Sequence, residues 1–181
     1  MSDANKYKKK FYLLCEECNS MSMEEAELTF KYNKIPEGFN HQFTNYFYCD
    51  HCEKETLQFD IEPRIAKSVQ LLRMNGYETM FSCEGHTIDE RNEIYWPYIA
   101  FKAKTFYFNT FTDILKKYGW KMMNVPMSNL LYNNRFLMGL YLIEKPKEYT
   151  NEMRDKDCEN LYDALYEYFK EIGGKVNGCN I

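Results

Sequence analysis

The chain has 181 residues, a hydrophobic share of 45%, an aromatic share of 17% and a formal net charge of −4. That is enough apolar material for one core domain with a small appendage, and it argues against a disordered chain. The acidic balance excludes the general attachment to nucleic acid that rests on surplus lysine and arginine.

No apolar run approaches the roughly 20 residues of a membrane span. The apolar stretch Phe11 to Cys15 is too short for a secretory signal, so a cytoplasmic protein is expected. There are seven cysteines, an odd number, and four of them form two C-x-x-C pairs. In a reducing compartment such pairs point to metal ligation rather than to disulfides.

The polar run Asp3 to Lys10 is expected to fray. Phe11-Tyr12-Leu13-Leu14 leads into Cys15-Glu16-Glu17-Cys18, and Asn19 follows, a residue that tolerates the left-handed backbone of such a turn. Tyr46-Phe47-Tyr48 leads likewise into Cys49-Asp50-His51-Cys52. Each half is a short strand delivering two thiolates, and two halves close a tetrahedral zinc site on Cys15, Cys18, Cys49 and Cys52. The pattern resembles a zinc ribbon. Ribbons usually carry Gly soon after each knuckle, where this chain has Asn19 and Glu53. The insert holds an expected strand, Leu28 to Tyr32, and a turn around Pro36-Glu37-Gly38. His51 is expected to be exposed, and His41 to lie in a loop. A closed four-thiolate site has no open position and is structural.

Glu55 to Ile61 alternates polar and apolar, the period of a strand, and is expected to join a main sheet. Pro63 suits the first turn of a helix with Ile65, Val69 and Leu72 on its buried stripe, stopped at Asn75-Gly76. Tyr77 to Cys83 and Tyr95 to Ala103 read as neighbouring strands joined by a polar loop, with Pro97 implying an edge or a bulge. Thr110-x-x-Asp113 opens a second helix with Phe111, Ile114, Leu115 and Tyr118 on its inner face, ended by Gly119. Trp120 to Val125 and Phe136 to Ile143 are further strands. Leu161, Leu165, Tyr168 and Ile172 mark a C-terminal helix that ends at Gly173-Gly174. The expected fold is α+β: a zinc-ribbon module over 1–60, then a compact α/β domain over 61–181. The latter is expected as a ferredoxin-like split βαβ sandwich with a C-terminal helix.

Between the first two strands of that domain lies Ser82-Cys83-Glu84-Gly85-His86, with a thiol, a carboxylate and an imidazole within four residues. Three roles are open to it. It can be a structural turn in which Cys83 acts as a small hydrophobe. It can be a ligand-binding loop, Gly85 allowing close backbone approach. It can be a second metal site at C-x-x-H spacing, drawing on Glu84, Asp89, Glu90 or Cys158. As an enzyme site, Glu84 or His86 would act as acid–base and Cys83 as nucleophile or ligand.

With Asn75, Thr79, Ser82, Cys83 and Gly85 in register, this segment resembles a stretch of the wybutosine-synthesising family. Those are tRNA-modifying methyltransferases that use S-adenosylmethionine. The likeness covers about a dozen residues; His86 stands where that family has Arg, and Glu84 where it has Ser. It implies an RNA-modifying role for the turn. The reading from the residues themselves is a zinc-binding cytosolic protein acting as a non-catalytic binding or regulatory module. Its target is a protein rather than bulk DNA, with single-stranded nucleic acid or a small ligand as alternatives. Tyr95-Trp96-Pro97-Tyr98 would stack bases if exposed.

Overall fold

The computed structural model describes residues 6–15, 17–29, 46–57, 60–91, 93–102, 108–125 and 137–176. The chain divides into two compact units, Met1–Asp60 and Ile61–Ile181.

In the first unit, β1 (Lys6–Leu14) pairs antiparallel with β2 (Met21–Thr29), Lys6 opposite Thr29 and Leu14 opposite Met21. The strand therefore begins within the run expected to fray, because a full-length partner takes up its backbone groups. β3 (Tyr46–Cys49) pairs with β4 (Lys54–Leu57), Tyr46 opposite Leu57. The turn at Pro36-Glu37-Gly38, the end of the expected strand at Leu28 to Tyr32, and His41 lie outside the described residues. β5 (Asp60–Ile61) is a two-residue strand at the boundary of the units.

The second unit opens with α1 (Pro63–Met74), which has Pro at its first position and buries Ile65, Ala66, Val69, Leu71 and Leu72. Gly76, with φ of 78°, turns the chain into β6 (Thr79–Cys83). A short α2 (Ile88–Arg91) stands where a polar loop was expected. Its start carries one half of a capping box: the Glu90 carboxylate accepts the Thr87 N–H at 3.1 Å. β7 (Tyr98–Lys102) follows, then α3 (Phe108–Lys117), β8 (Trp120–Asn124), β9 (Leu137–Leu142) and α4 (Asn151–Glu171). The helix expected from Thr110 begins earlier, at Phe108, so Thr110 sits inside it. The Thr150 hydroxyl caps α4 by accepting the Met153 N–H at 3.3 Å.

The four strands of this unit form one antiparallel sheet in the order β6-β7-β9-β8. β7 and β8 thus run in the same direction, joined through α3, with β9 antiparallel between them. The α+β class holds, but the ferredoxin-like layout does not form. The strand expected at Glu55 to Ile61 does not reach this sheet. The tight turn after Cys49 folds its first part, in β4, back on β3 as a hairpin, and β6 holds the edge beside β7.

Alternation along the strands gives the sheet two faces. Ile99, Phe101, Leu140, Leu142 and Trp120 are buried on the face where the helices pack. The Trp120 indole donates to the Asp157 carbonyl of α4 at 3.2 Å, and Phe101 meets Tyr77, which meets Phe169 of α4. The other face carries Phe81, Cys83, Tyr98, Tyr141, Lys121 and Met123. No helix among the described residues is long and apolar enough to cross a membrane.

Candidate metal centre and the turn at Cys83–His86

The two knuckles of the first unit are built alike. The Asn19 N–H donates to the Cys15 carbonyl at 2.9 Å, and the Glu53 N–H to the Cys49 carbonyl at 2.8 Å. Asn19 (φ 58°) and Glu53 (φ 55°) both take the left-handed backbone that usually falls to glycine. The turns aim Cys15, Cys18, Cys49 and Cys52 inward, with all four sulfurs within 4.8 Å of one another. Cys15–Cys52 and Cys18–Cys49 are each 3.7 Å apart. A disulfide needs about 2.05 Å. A tetrahedral ion with Zn–S bonds near 2.3 Å sets its sulfurs roughly 3.8 Å apart. The donor set therefore fits a zinc ion. His51 is exposed, outside the cluster.

The environment also favours cation binding. Burial raises the Cys15 and Cys52 thiols, and their sulfur neighbours push Cys52 up to about 12. Burial opposes ionisation of Cys49 too, but hydrogen bonds from the Ser20 hydroxyl and the Cys52 and His51 amides bring it down to about 6. A divalent cation displaces the protons that thiols raised in this way, Cys15 and Cys52, hold. Ser20 Oγ sits 3.0 Å from Cys18 Sγ and 3.3 Å from Cys49 Sγ.

In the second unit the turn after β6 is built on ion pairs that each join a buried side chain to a partly exposed one. Glu84 is 5% exposed; its oxygens accept from the Arg64 backbone N–H at 2.9 Å and from Arg64 Nη1 at 3.0 Å. Arg64 also pairs with Asp155. The buried Cys158 thiol donates to the Glu84 carbonyl at 3.5 Å. His86, 8% exposed, bonds through its backbone with Tyr95 in both directions, at 2.8 and 3.0 Å. Its Nε2 lies 3.3 Å from Glu62 Oε1, and its Nδ1 lies 3.5 Å from Glu90 Oε2. Arg154 forks onto Glu90 at 2.6 and 3.0 Å and donates to the Gly85 carbonyl at 3.0 Å. Burial works against ionising Glu90, yet the Arg154 hydrogen bond outweighs it and lowers its pKa.

Gly85 has φ of +87°, and a Cβ there would sit 2.9 Å from the Tyr95 carbonyl oxygen and 3.0 Å from Pro97. Gly85→Ala is expected to cost about 2 kcal/mol, read as a lowered urea midpoint.

Glu62, Cys83 and His86 bring donor atoms within 4.8 Å of one another. Of the expected group Ser82, Cys83, Glu84, Gly85 and His86, the structure turns only Cys83 and His86 toward this cluster. Ser82 lies in register with Ile99, on the opposite face of the strand from Cys83, and Glu84 is held by Arg64. Cys83 is partly exposed on the sheet face that lies away from the helices, in register with Tyr98, and Tyr98 with Tyr141. The two tyrosine rings stack with centroids 6.1 Å apart and planes 21° apart. The Tyr141 ring lies across Gly139, where a Cβ would collide with it. In Tyr95-Trp96-Pro97-Tyr98, Tyr95 is exposed, Trp96 and Tyr98 are half-buried, and Pro97 is buried. Lys145 sits over the Trp96 ring at 4.9 Å.

The chain matches no protein-family model, no curated protein and no solved structure.

Sequence reading missed Glu62, Arg64 and Arg154, and named Glu90 only as a further metal ligand, not as the carboxylate behind His86. The Thr87-x-x-Glu90 spacing was a visible capping signal. Glu62 stands at the N-cap of α1, yet its side chain makes no capping bond. It accepts the Glu84 N–H at 2.8 Å instead, a contact across 22 positions that no local pattern reveals. Lys102 pairs with Glu78 and Lys117 with Glu167, and Lys121 lies in register with Tyr141.

Proposed function

We propose that this protein is a cytoplasmic, zinc-stabilised, non-catalytic binding module. Its first unit is a ribbon-like module with a structural zinc on Cys15, Cys18, Cys49 and Cys52. The ligand is single-stranded nucleic acid, taken on the sheet face of the second unit. One observation carries this reading: a row Cys83, Tyr98, Tyr141, Lys121 beside a row Phe81, Ala100, Gly139, Met123, on the face away from the helices. Phe81 and Met123 are each 46% exposed. Aromatic rings on a four-stranded sheet offer platforms for splayed bases, and a nearby lysine serves a phosphate. The recognition is by stacking, so it is compatible with an acidic chain.

Fluorescence anisotropy with mixed-sequence single-stranded and duplex oligonucleotides tests this. Binding to single strands is expected, weaker to duplex. Phe81→Ala and Tyr141→Ala are each expected to weaken it by about 1–3 kcal/mol, the worth of one base–aromatic stack. Unchanged affinity in both variants, or no binding to any single strand, would reject the reading.

A second reading is favoured by the convergence of Cys83, His86 and Glu62. The turn would then act on its ligand as an enzyme, RNA modification being the direction implied by the wybutosine-family likeness. Rapid alkylation of Cys83, slowed by His86→Ala, is what a thiol activated for that role would show.

A further inference from the structure

We infer that Glu62, Cys83 and His86 form a second metal site in this protein, distinct from the four-cysteine cluster, with zinc as the ion its donors suit. The three come from different places: the residue ahead of α1, the last residue of β6, and the turn that follows it. Their donor atoms nevertheless converge within 4.8 Å, beside side chains that are nearly closed to water, His86 at 10% and Glu62 at 12% exposure.

Four features make this a metal site rather than an incidental contact. The first is spacing. An ion with Zn–N and Zn–O bonds of 2.0–2.1 Å holds such donors roughly 3.3 Å apart at the tetrahedral angle. His86 Nε2 and Glu62 Oε1 are 3.3 Å apart.

The second is the far side of each ligand. His86 Nδ1 faces Glu90, and Glu90 is clamped by the Arg154 fork. Metal-binding histidines are held in this way, their second nitrogen directed at a carboxylate. The second oxygen of Glu62 is fixed by the Glu84 N–H at 2.8 Å.

The third is charge. His86 lies between two carboxylates, its Nε2 3.3 Å from Glu62 and its Nδ1 3.5 Å from Glu90, so this nearly closed corner gathers acidic oxygens of the kind that a divalent cation binds.

The fourth is the third donor. Cys83 adds a thiolate, and a sulfur–nitrogen–oxygen set of three leaves one coordination position open, as in catalytic rather than structural zinc sites. That position is suited to water or an oxygen or nitrogen atom of a ligand. The inference stands independently of the nucleic-acid reading, since its donors differ from Phe81 and Tyr141.

The experiment is native mass spectrometry of the full chain expressed with zinc, counting ions per chain. Two zinc ions are expected in the wild type, one in Cys83→Ser and one in Glu62→Gln. Cys18→Ser is expected to lose the other ion. A single ion that survives both Cys83→Ser and Glu62→Gln would overturn the inference, as would two ions that both survive them. Circular dichroism of every variant shows that it is folded before its ions are counted, and Glu90→Gln leaves all three donors in place. It is expected to weaken retention of one of the two ions by about 10- to 100-fold in competition with a chelator, the usual effect of removing a ligand's supporting group. Equal retention in Glu90→Gln and wild type would count against the site.

Discussion

A chelator strong enough to strip zinc from Cys15, Cys18, Cys49 and Cys52 is expected to unfold the two hairpins β1–β2 and β3–β4 and to leave the helices and four-stranded sheet of the second unit folded. The first unit has two antiparallel hairpins among its described residues, and units of this size rarely bury enough apolar surface to fold without a staple. A structural zinc is worth roughly 10–16 kcal/mol in apparent terms at neutral pH. Whole domains are stable by only about 5–15 kcal/mol, so removal of the ion exceeds what a small unit holds in reserve. The thiols reinforce this. Once the ion leaves, burial and crowding restore protons to sulfurs such as Cys52. Because binding displaces protons, zinc retention is expected to fall as pH is lowered. Amide hydrogen exchange with and without chelator checks the prediction. Protection lost from β1 to β4 and retained in α1, α4 and the four-stranded sheet is the expected pattern. Unchanged protection in β1 to β4 would mean that the hairpins stand without metal.

How far the sequence reached depends on how local each signal was. The four cysteines were legible because C-x-x-C spacing is set within one turn. Asn19 was legible as a left-handed residue; Glu53 was not, since glutamate has no preference for that backbone. Its φ of 55° follows from the same closure that sets its N–H on the Cys49 carbonyl. The second unit's helices and strands were legible from periodicity, but their order in the sheet was not. The chain between Glu55 and Ile61 alternates as a strand should, and nothing local says which strand it pairs with. The turn shows the same limit. Cys83 and His86 lie within one four-residue turn, whereas Glu62 and Arg154 reach them from far along the chain. One signal was present all the same. The buried stripe Leu161, Leu165, Tyr168, followed back up the helix, meets Cys158 and then Arg154. A charged residue on the inner stripe of a helix implies a buried partner.

Arg154→Met is expected to destabilise the second unit by an amount at the low end of the roughly 3–5 kcal/mol that breaking a fully buried ion pair costs, because the carboxylate it strands, Glu90, is partly open to water. Arg154 is 2% exposed and joins three elements through one guanidinium. It donates to Glu90 at the start of α2, to the Gly85 carbonyl in the turn, and to Asn151 Oδ1 in the first turn of its own helix at 2.5 Å. Methionine keeps much of the volume and none of the donors, so the loss is electrostatic rather than a cavity. Two features set the size. The Gly85 carbonyl loses its charged donor, which alone costs on the order of 1–3 kcal/mol. Glu90 is 38% exposed, so water compensates part of its charge and holds the total near the lower end of the range. Arg154→Lys is expected to fall between, since an ammonium cannot fork onto both carboxylate oxygens. Urea unfolding of Arg154→Met, Glu90→Gln and the double variant forms the cycle that isolates the pair. A double variant that recovers at least about 1 kcal/mol relative to additivity shows that the stranded carboxylate is the cause. A single variant costing under about 1 kcal/mol would mean that the turn holds its shape through Gly85, Pro97 and the Tyr95 backbone alone. His86 would then keep its place without the Arg154–Glu90 pair behind it.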